Sequence, residues 1–80
     1  MFNFFKRKPK LFTLNALRDL DHLHDRVMHR TLVGKTLTKD EWVEECATAL
    51  WNETGMRSAD NCYKKANWLF SYYSKRGHIV

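Results

Sequence analysis

The chain has 80 residues, a formal net charge of +5 and a 44% hydrophobic content, which suits one small basic domain. A chain of this length buries only about 60% of its unfolded surface, so five Phe, three Trp and three Tyr are needed as core material. With one Pro, three Gly and no internal repeat or low-complexity run, the composition argues against disorder and against a sandwich of short strands. It favours an all-α fold.

The charge is unevenly spread. Residues 1–10 carry Lys6, Arg7, Lys8 and Lys10 with no acid, and residues 57–80 carry five basic residues against Asp60. The stretch between them is net acidic. Basic ends favour polyanions, whether nucleic acid, an acidic protein or anionic lipid, while an acidic waist would repel phosphate near the contact. Met1 to Phe5 places its apolar residues before the charges and is too short for a signal h-region. No segment reaches the roughly 18 apolar residues of a membrane span. The expected compartment is the cytoplasm, with Cys46 and Cys62 as buried reduced thiols.

In chain order, residues 1–12 read as a Phe-rich, basic arm and residues 13–80 as a three-helix domain. Thr13 or Asn15 caps an expected first helix running to Arg30 or Leu32, with Leu17, Leu20, Leu23, His24, Val27 and Met28 inward. Gly34 ends it, and Lys35 to Leu37 is a connector. Thr38 and Glu41 form a capping box opening a second helix to about Glu53. That helix turns Trp42, Val43, Cys46, Ala47, Ala49 and Leu50 inward, with Trp51 at the border. Its outer face is acidic: Asp40, Glu41, Glu44 and Glu45. Gly55 stops it. Ser58 opens a third helix to about Arg76, with Ala59, Cys62, Tyr63, Ala66, Leu69, Phe70 and Tyr73 on a core stripe. The small end of that stripe should receive Trp42 or Trp51, and the bulky end should pack on the first helix. Ile79 and Val80 are expected to tuck back.

Chemistry-bearing patterns are sparse. His22, Asp25 and His29 share an expected outer face of the first helix, but the two imidazoles stand two turns apart, too far to share one ion easily. The expectation is no metal and no cofactor. His24 points inward and reads as a neutral core histidine. No nucleophile motif, Gly-rich phosphate loop, Cys-x-x-Cys or HExxH occurs, so the chain reads as non-enzymatic.

The informative surface is the outer face of the third helix: Asn61, Lys64, Lys65, Trp68, Ser71, Tyr72 and Lys75. Large aromatics among lysines, opposite the core stripe, point to a surface that meets something. The leading expectation is a regulatory, adaptor or inhibitor module that binds an acidic protein through Trp68, Tyr72, Lys64, Lys65, Lys75 and Asn61. The alternative is nucleic-acid binding by the same helix with Lys6, Arg7, Lys8 and Lys10, by phosphate contact and base stacking. The helix-turn-helix layout around Gly55 is present in outline, but Trp51 stands where a small residue belongs. Phe2, Phe4 and Phe5 followed by basic residues also fit an anionic membrane surface, more weakly because the apolar stretch is short. The same three rings could instead cover the core, and residues 1–12 or a second copy in a homodimer could cover Trp68 and Tyr72.

Overall fold

The computed structural model describes residues 10–80. Five elements follow one another: β1 (Leu11–Thr13), α1 (Leu23–Leu32), β2 (Thr36–Thr38), α2 (Lys39–Glu53) and α3 (Ala59–Lys75). The domain is mostly helical, with three helices as expected, but it is not purely all-α. β1 and β2 pair antiparallel, with Leu11 opposite Thr38, Phe12 opposite Leu37 and Thr13 opposite Thr36. The stretch read as a connector is therefore a strand, reached after Gly34 turns the chain at φ +87°.

The first helix is much shorter than its apolar spacing suggested. Leu14 to His22 is not helical. It runs beside α1, where the Leu17 amide donates to His29 Nδ1 (3.3 Å). Two things compete with helix there. The backbone around Leu14 is already engaged, because the Gly34 amide donates to the Leu14 carbonyl (3.0 Å). Asp19 accepts from the Asp21 amide (3.1 Å), a local bond that replaces a helical one. The shortened helix also reassigns faces. Leu23, expected inside, is 51% exposed, and Asp25, expected outside, is 7% exposed.

α2 and α3 follow the sequence closely. Thr38 accepts from the Glu41 amide while Glu41 accepts from the Thr38 amide, the full capping box. Ser58 caps α3 by accepting from the Asn61 amide. At the other end the Gly77 amide donates to the Ser74 carbonyl and the His78 amide to the Tyr73 carbonyl. With Gly77 at φ +80° this is a Schellman turn. It sends the tail back along β1, where Thr13 and Val80 exchange backbone hydrogen bonds. Ile79 is buried as expected, whereas the Val80 side chain stays exposed.

α2 packs on both α1 and α3, while no Cα of α1 lies within 8 Å of a Cα of α3. The bulky end of the α3 stripe therefore rests on α2 and β1 rather than on the α1 backbone. Phe70 meets Phe12 and Trp42 edge-on at 5.0 and 5.3 Å, and Tyr73 meets Trp42 at 6.3 Å. Trp42 sits at this bulky end, leaving Trp51 beside Ala59, Cys62 and Tyr63 along a shallow apolar groove. Tyr63 is exposed, not core, and its hydroxyl donates to Glu44 at 2.7 Å. Cys46 and Cys62 are buried free thiols, and burial pushes the Cys46 thiol up to about 12, where it is unreactive at neutral pH.

α1 reaches α3 through side chains. The Tyr73 hydroxyl donates to Asp25 Oδ1 at 2.6 Å inside the core. Burial, then this bond, raises the phenol far above its ordinary range, so Tyr73 remains a neutral donor. Tyr73→Phe leaves a buried carboxylate short of its donor and should cost about 2 kcal/mol. Thr38→Ala, which removes an exposed cap, should cost about 1 kcal/mol. Urea unfolding of the two variants checks both values, and an equal or reversed order contradicts this account of the Tyr73 bond.

Candidate functional site

Helical spacing builds the site. Lys65, Trp68, Tyr72 and Arg76 succeed one another at intervals of three, four and four, so they rise as one ridge along α3 and its cap. Trp68 and Tyr72 stack at 4.8 Å with their planes 16° apart. The Lys65 ammonium lies 4.5 Å from the Trp68 ring centre, and the Arg76 guanidinium lies 4.9 Å from that of Tyr72. Lys65 comes one turn before Trp68 and Tyr72 one turn after it, and both pack against the indole. The result is a cation, ring, ring, cation row along the ridge. Trp68 remains 50% exposed.

α1 braces the ridge from one side. His24 meets Trp68 edge-on at 6.4 Å and stacks on His22 at 5.4 Å. Its Nε2 lies 3.3 Å from Asp25 Oδ1, so the expected inward histidine has a carboxylate neighbour rather than a carbonyl or tyrosine. Burial lowers the His24 pKa, Asp25 opposes that shift, and Lys65 and His22 reinforce it. The ring is neutral at pH 7.

The remaining expected residues are more loosely placed. Lys64 is exposed and paired with Asp60 at 3.1 Å. Asn61 and Lys75 are exposed on α3. Lys10 sits 5.6 Å from the Phe12 ring centre, whereas Lys6, Arg7 and Lys8, like Phe2, Phe4 and Phe5, lie outside the described residues. The acidic face of α2 is elsewhere, tied to α3 through Glu44 and Tyr63. His22, Asp25 and His29 do not converge. Asp25 turns inward to Tyr73 and His29 engages Leu17. No group of three or more metal-ligating side chains forms among the described residues, and no helix among them is long and apolar enough to cross a membrane.

Arg76, which the sequence marks as the end of the helix, is also the last layer of the ridge. Its spacing from Tyr72 was the available signal. Asp25 was missed as a buried group because its helix begins later than expected.

No protein-family model, no curated protein and no solved structure matches this chain.

The His24 shift has a stability consequence. The unfolded imidazole takes up its proton near its ordinary 6.5, and the folded one only at lower pH. The unfolded state therefore binds more protons in that window, so stability falls as pH drops below about 6.5 and levels off below the folded pKa. His24→Gln should make the decline between about pH 7 and pH 5 shallower than in the wild type. Urea unfolding across that range checks it, and an unchanged or steeper decline contradicts it.

Proposed function

We propose that the chain is a non-enzymatic protein-binding module of regulatory, adaptor or inhibitor type. Its contact surface is the α3 ridge of Lys65, Trp68, Tyr72 and Arg76, with Lys64, Lys75 and Asn61 around it. The observation that carries this reading is the stack itself: an exposed tryptophan and a tyrosine fixed between two cations. Interface hot spots are rich in Trp, Tyr and Arg, and they bind well when little side-chain freedom remains to be lost. A rim of Lys64, Lys65, Lys75 and Arg76 favours an acidic partner by steering and by charge complementarity.

The same stack weighs against the nucleic-acid alternative in its base-stacking form. Base stacking needs an open ring face, and Tyr72 and the Lys65 ammonium already pack against the Trp68 ring. Phosphate contact alone would remain, through these cations and the basic residues at 6–10.

The test is selection of peptides from a random displayed library on the immobilised protein, with Trp68→Ala as comparator. Acidic peptides with an apolar anchor should emerge and should lose about thirtyfold in affinity on Trp68→Ala, the scale of a hot-spot residue. The variant should lose no more than about 1 kcal/mol of stability, since Trp68 is half exposed. Peptides that bind both proteins equally, or retention of single-stranded DNA with steep salt dependence and no peptide enrichment, would overturn the proposal.

A further inference from the structure

Behind the ridge, Tyr72 and Arg76 also form one side of a cleft of about 350 Å³. The non-helical segment supplies Arg18, exposed at the rim like Arg76, the buried Asp25 and Tyr73 lie at its base, and His78 borders it from the tail. We infer that this cleft binds a small amino-carboxylate, of which a free α-amino acid is the simplest, with its ammonium on Asp25 and its carboxylate on Arg18 and Arg76. The inference goes beyond the protein-binding reading and does not rest on it, although Arg76 belongs to both surfaces.

The base of the cleft asks for a cationic donor. The Asp25 side chain is only 10% exposed. Its Oδ1 accepts from the Tyr73 hydroxyl and lies beside His24 Nε2, and no described residue donates to Oδ2. The carboxylate is largely desolvated, and a cationic donor reaching it from the cleft would offset part of that cost.

The rim asks for a planar anion. Neither Arg18 nor Arg76 has a carboxylate within ion-pair distance among the described residues. Arg76 lies on the Tyr72 ring. Stacking uses the face of a guanidinium and leaves its N–H edge free, and that edge matches a carboxylate in two-point geometry. Asp19 also borders the cleft, but its Oδ1 is engaged by the Asp21 amide.

The two ends together select the ligand class. A simple anion meets Asp25 at the base and a simple cation meets two arginines at the rim, whereas a zwitterion satisfies both. The volume falls at the small end of ligand clefts, which run from roughly 300 to 1,000 Å³. An affinity on the order of 0.1–1 mM is expected for so few contacts.

The test is a ¹H–¹⁵N titration of the full chain with leucine, N-acetyl-leucine and leucinamide. Leucine should move the amides of Arg18, Asp25 and His78 in a saturable way, and each blocked form should bind at least about tenfold more weakly, since each loses a charge-assisted contact. Equal binding of N-acetyl-leucine would make this an anion site, and equal binding of leucinamide a cation site. Either result overturns the inference, as does the absence of saturable shifts with leucine, glutamate, lysine and phenylalanine at up to about 10 mM. Asp25→Asn also disturbs the Tyr73 bond, so exposed Arg18 carries the variant test. Arg18→Gln should keep the wild-type spectrum and weaken leucine about tenfold, and wild-type affinity in that variant would overturn the assignment.

Discussion

A hydrogen bond from the Tyr73 hydroxyl to the Asp25 carboxylate fastens α1 to α3. The two helices share no close backbone approach, because α2 is the element that both pack against. Beside that bond, the edge of His24 meets Trp68, and Val27, Met28 and Leu32 share one apolar cluster with the α3 stripe. The bond agrees with the roll that the buried apolar stripes give both helices. Tyr73 points inward, so Tyr72, one residue earlier and about 100° around the helix, turns outward with Trp68. Asp25 points inward, so His24 is turned toward Trp68 and His22 lies against His24. Ridge and cleft thus adjoin one buried polar contact.

Such a contact is expensive, and the fold places it where it also discriminates. A buried carboxylate with a phenolic donor stabilises one pairing of helix faces and penalises the others, which would leave the charge unpaired. The rest of the core is apolar, mostly aliphatic, and less directed by comparison, with Trp42, Phe70 and Phe12 meeting edge to face. A core of this kind supplies burial, and the polar contact supplies register. In a chain of 80 residues, where burial alone gives a small margin, both are needed.

The helices whose ends carry capping chemistry were legible in the sequence. Thr38 with Glu41, and Ser58 before Asn61, place the starts of α2 and α3 because the cap bonds are local and need no tertiary partner. α1 has no such signal: its N-cap is His22, which makes no side-chain cap bond. The apolar spacing from Leu17 onward suits a helix, yet Leu14 and Leu17 reach the core from an irregular segment whose partners, Gly34 and the tail, lie far along the chain. The short β1–β2 pair was hidden for the same reason, since its pairing is set across 23 to 27 residues rather than by either strand alone. The outward placement of Trp68 and Tyr72 followed from helical periodicity. Their mutual stacking and the two cations capping them follow from the same spacing, once Arg76 is counted as part of the ridge. The cleft had no sequence signature, because its lining comes from two separated stretches, 17–25 and 72–78, and its base depends on the late start of α1.

The central claim is that the ridge is built in advance of any partner, as a rigid stack rather than a set of loose surface side chains. ¹⁵N relaxation of the Trp68 indole measures this directly in the unliganded protein. A held stack predicts an indole order parameter close to that of the helix backbone, about 0.85. A value below about 0.6 would describe a free surface ring and would contradict the account.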